Sequence, residues 1–228
     1  METIAIVQAR MSSQRLPGKV LHEVAGRPML QYLLERLEHC TLLNDIVVAT
    51  SSEKSDDAIE IFCKNHNVSC HRGSLSDVAG RFRAVLEACP YDAFVRVNGD
   101  SPLLDQRLIE KGIGFFLEGN FDLVTNTLVR TYPKGQSVEI LSAATFKKVC
   151  EKMREPEDLE HVTRYFYRNK DRFKIFNFES EKELGRIQLS VDTKQDMELF
   201  ENVIGKMKSP HWEYNLKNIL DFYNEISE

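Results

Sequence analysis

The sequence has no long hydrophobic run and no excess of positive charge. Its 228 residues include 30 Lys and Arg against 35 Asp and Glu, for a formal net charge of -5. That balance gives no general attraction to nucleic acid or to an anionic membrane surface. No segment approaches the roughly 18 consecutive apolar residues of a membrane span. We therefore expect neither nucleic acid nor a membrane among the partners of this protein.

Regularly spaced cysteines and a leader segment are also missing. The five cysteines are an odd number without disulfide-like spacing, which is typical of free thiols in a reducing compartment. The N-terminus has no basic segment, and its apolar run is too short for a signal peptide. There is no repeat, low-complexity tract or Gly/Ser linker. We expect a cytoplasmic protein with a single domain over residues 1–228.

What the sequence does contain is a regular alternation of short apolar runs and amphipathic segments. Four runs predict buried strands, at 3–9, 45–50, 68–71 and 93–97. Helical spacing predicts helices at 28–39, 55–65, 76–89 and 105–117. Such alternation favours βαβ units. We predict an α/β fold, a three-layer sandwich around a mostly parallel mixed sheet.

The alternation breaks down between about residues 127 and 185. Strands are predicted there at 138–141 and 173–178, and helices at 143–153 and 158–169. A short extended segment at 188–191, a helix at 194–206 and a last helix after Pro210 follow. We interpret 127–185 as an insertion beside the sheet that forms a wall of the substrate site, a dimer interface, or both.

The loop after the first strand is basic in an otherwise acidic protein. Residues 8–19 carry Arg10, Arg15 and Lys19 and no carboxylate. Ligands of open α/β sheets bind beyond the carboxyl ends of the strands, and these cations suit phosphate. The loop lacks the glycines of a Walker A motif and of a dinucleotide fingerprint. From charge alone, a solvated loop without a ligand is an equal alternative.

Two aspartates follow predicted strands at the same edge of the sheet. Asp100 comes just after the 93–97 strand, and Asp192 follows the extended segment at 188–191. Before any resemblance is considered, the sequence favours ligand-free roles for both, a turn residue at Asp100 and a helix N-cap or neighbouring turn residue at Asp192.

Several motifs together resemble the cytidylyltransferase family, which includes the CMP-Kdo and CMP-acylneuraminate synthetases. The opening signature is IVQARMSSQRLPGKVL at 6–21, followed by GRPML at 26–30. The resemblance continues through DIVVATS at 45–51, RGS at 72–74, RVNGDSPL at 96–103, EHVT at 160–163 and SVDT at 190–193. It covers most of the chain in the family's order, and the most similar branch is that of spore-coat polysaccharide biosynthesis.

The resemblance implies a fold, an activity and partners. The fold would be a Rossmann-like nucleotidyltransferase fold of the GT-A-like type. The activity would be Mg²⁺-dependent transfer of CMP from CTP to a sugar acid or related cell-surface polysaccharide precursor, with release of pyrophosphate. CTP and a small sugar-acid-like acceptor would be the partners, and the insertion at 127–185 would form an acceptor wall, a homodimer interface, or both.

The resemblance also assigns roles to individual residues. Asp100 and Asp192 would hold Mg²⁺ and, with Arg10 and Lys19, form the catalytic set. Nucleotide binding would involve Ala9, Arg10, Ser12, Ser13, Arg15, Lys19, Arg72, Ser74, Arg81, Asn98 and Asp100. Acceptor binding would involve Tyr132, Glu139 and His161.

Two departures from the family pattern leave the acceptor open. Ser137 stands where close relatives usually carry aspartate, and Ser101 where they usually carry cysteine. Two other functions also stay open. A nucleotide-sugar glycosyltransferase can share this scaffold, but Asn98 replaces the first aspartate of its usual Asp-x-Asp pair. A catalytically silent paralogue that binds nucleotide is the other.

Overall fold

The computed structural model describes residues 1–227 and builds them around one large sheet and one short hairpin. The strands are β1 (Thr3–Gln8), β2 (Glu23–Val24), β3 (Arg27–Pro28), β4 (Asp45–Ser51), β5 (Ser69–Gly73), β6 (Ala93–Asn98), β7 (Leu123–Thr125), β8 (Glu139–Ser142) and β9 (Ile175–Asn177). The α-helices are α1 (Met29–Glu38), α2 (Asp57–Asn65), α3 (Val78–Ala88), α4 (Gln106–Glu118), α5 (Ala143–Cys150), α6 (Pro156–Glu160), α7 (Arg164–Arg168), α8 (Lys194–Lys206) and α9 (Leu216–Ser227).

The large sheet has the strand order β5-β4-β1-β6-β8-β7-β9. Strands β5, β4, β1 and β6 run parallel to one another, whereas β8 is antiparallel to both of its neighbours. β1 lies at the centre of the parallel part, so its residues from Thr3 to Val7 are all buried. The predicted mostly parallel mixed sheet is confirmed.

Each face of the sheet carries its own hydrophobic core. Ala5 and Val7 of β1 belong to one core, whereas Ile4 and Ile6 point to the other, as the two-residue period of a strand requires. Residues of α1, α2, α4, α8 and α9 pack on the first face, and those of α3, α5 and α7 on the second. The three-layer arrangement predicted from the sequence is therefore present.

The predicted insertion differs from expectation in two ways. β8 and β9, both within 127–185, are members of the sheet, so its placement beside the sheet is wrong for these strands. The single helix predicted at 158–169 is also wrong, because the chain leaves helical geometry at His161 and forms α6 and α7. The break buries Val162 completely in the second core.

The C-terminal segment is anchored to α1 by a buried arginine. The guanidinium of Arg36 is fully buried and donates hydrogen bonds to the carbonyl oxygens of His211, at 2.5 Å, and Tyr214, at 3.2 Å. Burial lowers the Arg36 pKa to about 10, with Asp105 opposing the shift. Beside it, the imidazole of His211 is hydrogen-bonded to the Glu35 carboxylate at 2.7 Å. Within residues 1–227, no helix is long and apolar enough to cross a bilayer.

Candidate active site

A cavity of about 360 Å³ opens where β1 and β6 end, at the carboxyl edge of the parallel strands. The loop after β1 forms much of its wall. Its lining residues are Gln8, Ala9, Arg10, Ser13, Gln14, Arg15, Lys19, Val20, Val78, Arg81, Asn98, Gly99, Asp100, Glu160, His161 and Asp192. We refer to it as the first cavity.

Lys19 is the centre of charge in the first cavity. Its ammonium group donates to Asp100 Oδ2 at 2.9 Å, to Asp192 Oδ1 at 3.0 Å and to the Val191 carbonyl oxygen at 2.6 Å. The Lys19 side chain is only 7% exposed. Arg15 adds a second cation, 2.9 Å from the same Asp192 oxygen. The two aspartates predicted as metal ligands thus converge on one point, together with two of the three loop cations.

The backbone explains why residues so far apart in sequence meet here. The Val191 N–H donates to the Asp100 carbonyl oxygen at 2.8 Å, which joins the two aspartate segments directly. After Asp192 the chain enters α8 through a capping box formed by Thr193 and Asp196. At Gly99, a Cβ would lie 2.9 Å from the Gln8 carbonyl oxygen, so only glycine allows β6 to end this close to β1.

The donor set fits a hard divalent cation that binds together with a nucleotide. Asp100 and Asp192 both lie within 3.0 Å of a positive charge already, so their separation suits one cation. Within residues 1–227, no cluster of three or more His, Cys, Asp or Glu side chains could hold a metal alone. Two aspartates would suit Mg²⁺, because this ion takes few carboxylates and completes its shell with water and phosphate oxygens.

Arg81 lines the first cavity, as does Val78. It is 3% exposed, and it donates to the carbonyl oxygens of Ser74, at 2.5 Å, and Leu75, at 3.3 Å. Burial lowers the Arg81 pKa, against the effect of Asp56. Its Nε has no hydrogen-bond partner among the described residues. Ser74 contributes its backbone carbonyl, while its hydroxyl accepts the Asp77 N–H at 3.2 Å.

The remaining loop residues lie around the mouth of the cavity. Ala9 and Ser13 line it, whereas Ser12 is exposed and outside the lining. The guanidinium of Arg10 lies 3.4 Å from a Glu160 carboxylate oxygen, so α6 reaches across to the β1 loop.

Arg72 and Tyr132 do not reach a cavity, contrary to the sequence-based expectation. Arg72 binds the carboxylates of Asp57 and Glu60 on α2, each at 2.7 Å, which holds it on the outer side of β5. Tyr132 is 5% exposed and packs against Phe178 in the first hydrophobic core. The Tyr132 hydroxyl donates to the Glu179 carbonyl oxygen at 3.4 Å, so in both cases the protein itself supplies partners for the polar group.

A second cavity, of about 460 Å³, adjoins the first. Asn98 and His161 line both. The complete lining of the second cavity is Arg96, Asn98, Thr127, Arg130, Ser137, Glu139, His161, Thr163, Arg164, Tyr167 and Arg168. Four arginines thus surround one carboxylate, and the sequence reasoning missed all four. The sequence held two signals for them, Arg96 at the start of the RVNGDSPL motif and the spacing of Arg164 and Arg168, four residues apart.

Glu139 forms the buried floor of the second cavity. It is 3% exposed, lies 2.5 Å from the Arg96 guanidinium, and accepts the Tyr167 hydroxyl at 2.5 Å. Burial by itself raises the Glu139 pKa. The Arg96 charge and the hydrogen bond from Tyr167 lower it by more, so the Glu139 pKa lies below its ordinary value. Burial and the Glu139 charge raise the Tyr167 pKa. Glu139, predicted to contact the acceptor, is therefore an ionised group largely satisfied by the protein.

Comparison with known proteins assigns the chain to a family. The family model described as Cytidylyltransferase matches residues 4–225. An uncharacterized protein of Methanocaldococcus jannaschii is 38% identical over 202 residues, which cover 88% of this chain and 82% of that protein. The spore coat polysaccharide biosynthesis protein SpsF of Bacillus subtilis is 29% identical over 205 residues, covering 86% and 84%.

A solved structure agrees over the whole chain. A cytidylyltransferase from Leptospira borgpetersenii superposes with a TM-score of 0.94 at 30% sequence identity, covering 100% of this chain and 95% of that one. The fold and the site define a nucleotidyltransferase, as the motifs predicted. More particularly, the chain belongs to the cytidylyltransferase family.

Proposed function

We propose that this protein transfers CMP from CTP to a sugar acid or related polysaccharide precursor, in a Mg²⁺-dependent reaction that releases pyrophosphate. The observation that carries the proposal is the convergence of Lys19, Asp100 and Asp192 beside the junction of two cavities. One cavity suits a nucleoside triphosphate, and the other suits a small anionic acceptor.

The first cavity offers groups for each end of CTP. Arg10, Arg15 and Lys19 can neutralise the phosphates, with Arg15 and Lys19 next to the two aspartates. Arg81 also lines this cavity, and its guanidinium would donate to a carbonyl oxygen or ring nitrogen of the base. Asp100 and Asp192 would hold Mg²⁺, which would supply charge stabilisation on the phosphates when bound.

The second cavity would bring the acceptor oxygen to the α-phosphorus. Its border with the first cavity is formed by Asn98 and His161, so an acceptor there lies beside the nucleotide site. A bond forms between the acceptor hydroxyl oxygen and the α-phosphorus, the bond from that phosphorus to the bridging oxygen breaks as pyrophosphate leaves, and the hydroxyl proton passes to solvent. Positioning and electrostatic stabilisation would supply most of the rate enhancement.

The test is pyrophosphate release with each of the four nucleoside triphosphates, with and without Mg²⁺, against a panel of small sugar acids. We expect release with CTP alone, only with Mg²⁺, and a loss of about 10²-fold or more in Asp100→Asn. Asp221→Asn is the matched control, because it removes a carboxylate from an exposed position on α9.

Other outcomes separate the alternatives. CTP binding without release from any acceptor would identify a silent nucleotide-binding paralogue. Hydrolysis of a nucleotide sugar in place of pyrophosphate release would identify a glycosyltransferase.

A further inference from the structure

Most cations of the second cavity are already matched by carboxylates of the protein. Arg96 is paired with Glu139 at 2.5 Å. Asp158, a fully buried residue of α6, binds Arg164 at 2.9 Å and Arg168 at 2.6 Å, and Arg164 also pairs with the Glu157 carboxylate. These three arginines therefore carry little uncompensated charge toward a ligand.

Arg130 is different. Its guanidinium has no carboxylate partner among the described residues, and its hydrogen bonds go to one neutral group. Both terminal nitrogens donate to the Ser137 hydroxyl oxygen, each at 3.2 Å. One N–H of each terminal nitrogen donates to the serine oxygen. The other N–H of each has no hydrogen-bond partner among the described residues. The serine oxygen accepts twice, so its own O–H is directed elsewhere.

This geometry makes an anion-binding pair. The Arg130 side chain is fixed by a hydrogen bond that leaves its charge intact, because a hydroxyl orients a guanidinium without neutralising it. Both Arg130 and Ser137 are half-buried and line the cavity, so a bound group would be partly removed from water. Charge-assisted hydrogen bonds from arginine to carboxylate or phosphate are strong in such surroundings.

We propose that Arg130, oriented by Ser137, binds an anionic group of the acceptor, a carboxylate or a phosphate monoester. Ser137 sets this specificity by being neutral: a carboxylate at its position would pair with Arg130 and remove the charge from the acceptor. The identification of the ligand as the acceptor rests on the function proposed above, but the binding of the anion does not.

The decisive comparison is Ser137→Asp against Ser137→Asn, two side chains of nearly equal size that differ in charge. Binding is measured by calorimetry for two matched pairs of probes, Kdo against its methyl ester and a hexose 1-phosphate against the free hexose. We expect wild-type protein to prefer the charged member of at least one pair. In Ser137→Asp that preference falls by about 10- to 100-fold, the range for loss of a charge-assisted hydrogen bond.

In Ser137→Asn the preference changes by only about 2- to 5-fold, because one neutral hydrogen-bonding group replaces another. Arg130→Gln should behave like Ser137→Asp. Preference within the Kdo pair assigns a carboxylate, and preference within the hexose pair assigns a phosphate. Equal binding of charged and uncharged probes by wild-type protein, or equal losses in the Asp and Asn variants, would overturn the proposal.

A parallel assay of CMP transfer separates this proposal from the function on which it rests. If CTP releases no pyrophosphate although the charged probe binds through Arg130, the proposed function fails and the anion site stands. If transfer occurs with equal kcat/KM for charged and uncharged acceptors, the function stands and the role of Arg130 fails.

Discussion

Lys19 places an ammonium group between two carboxylates that would otherwise repel each other. It is nearly buried and makes hydrogen bonds to Asp100, Asp192 and the Val191 carbonyl. These contacts stabilise the site in the ligand-free protein, and under the proposed function Lys19 would also bind a phosphate of the nucleotide. We therefore expect the same residue to contribute to stability and to binding.

We expect Lys19→Met to show both roles. Without a divalent cation the variant should lose about 2 kcal/mol of unfolding free energy, because two partly exposed carboxylates are left facing each other. Added Mg²⁺ should raise its melting temperature more than that of wild-type protein, because no ammonium competes for the carboxylates. Pyrophosphate release should fall by about 10²-fold.

Differential scanning fluorimetry across a Mg²⁺ series measures the first two effects. The control is Lys217→Met, which removes an exposed lysine on α9. Equal Mg²⁺ responses in Lys19→Met and wild-type protein would contradict the placement of the metal between the aspartates.

Site residues could be predicted from the sequence where a short motif contains them. They could not be predicted where residues from distant segments meet only in the folded chain. The loop cations and both aspartates lie in compact sequence motifs next to strands, and the structure brings them together. Arg130 has no such motif, and Arg96 lies in the RVNGDSPL motif at 96–103 without a role assigned from it. The cavity that both line depends on the antiparallel insertion of β8 and on the break between α6 and α7, which local periodicity does not reveal. Arg72, predicted to bind nucleotide, is paired in the structure with two carboxylates of α2, which its sequence motif does not indicate.

At the scale of elements, the contact between α1 and the C-terminal segment should respond to pH. Burial lowers the His211 pKa to about 4, and the nearby Arg36 charge lowers it too, whereas the hydrogen bond that His211 donates to the Glu35 carboxylate raises it. In the unfolded chain the His211 pKa returns to about 6.5. Between these values the unfolded state binds the proton and the folded state does not, so stability falls as the pH falls.

The expected loss between pH 6.5 and 4 is about 3 kcal/mol from His211 alone. Burial raises the Glu35 pKa, but hydrogen bonds from His211 and Gln31 lower it by more, so the Glu35 pKa is lowered overall. The stability that Glu35 contributes is therefore present above about pH 4.3 and is lost only below that value. Urea denaturation at several pH values measures the combined slope. In His211→Gln the slope between pH 6.5 and 4.5 should become shallower, and an unchanged slope would refute the assignment.

Helix α4 offers two glycines that should respond in opposite directions to alanine. A Cβ at Gly112 would lie 2.5 Å from Ile140 Cδ1 and 3.0 Å from Val138 Cγ1, whereas nothing lies within 4 Å of a Cβ at Gly114. Gly112→Ala should therefore destabilise the protein by about 1–3 kcal/mol through overpacking against the sheet. Gly114→Ala should stabilise it by about 0.5–1 kcal/mol through helix propensity.

Thermal or urea unfolding measures the stability of both variants. Each variant serves as the control for the other, because both change glycine to alanine about one half-turn apart on the same helix. Stabilisation by both would show that α4 can move away from β8 at little energetic cost.

The elements predicted best were those with a strong helical period and a clear cap. α8 was predicted at its observed bounds, and Thr193 with Asp196 supplies the capping box that fixes its start. β7 was missed because three residues are too few to show a strand period. α6 and α7 were predicted as one helix because the amphipathic spacing continues across a break that tertiary burial of Val162 creates.

At the scale of the whole molecule, the edge of the sheet bears on association. β9 is the last strand in the sheet order, and Leu128 and Val129 nearby are 41% and 51% exposed. We expect the 127–185 segment to form a homodimer interface, because exposed apolar residues beside an unpaired strand edge favour association.

Sedimentation velocity over a wide concentration range measures this. Leu128→Glu should shift the protein toward monomer, whereas Leu42→Glu, an exposed position before β4, should not. A wild-type protein that sediments as a monomer at every concentration would remove the prediction.

The global arrangement could be predicted only in its parallel half. The alternation of strands and helices up to α4 indicates right-handed βαβ units and a parallel sheet, while the order β5-β4-β1-β6 comes from the structure. Nothing in the later sequence indicates that β8 inserts between β6 and β7, since antiparallel pairing of short buried strands carries no distinctive pattern. The resemblance to a known family, covering most of the chain, supplied what the local patterns could not.

The hydrogen bond from the Val191 N–H to the Asp100 carbonyl has a consequence for thermal motion. It joins two chain segments more than ninety residues apart at the places where each presents its carboxylate. We therefore expect thermal motion to change the spacing between the two carboxylates less than the 3.4 Å contact between Arg10 and Glu160, which no backbone hydrogen bond within residues 1–227 supports.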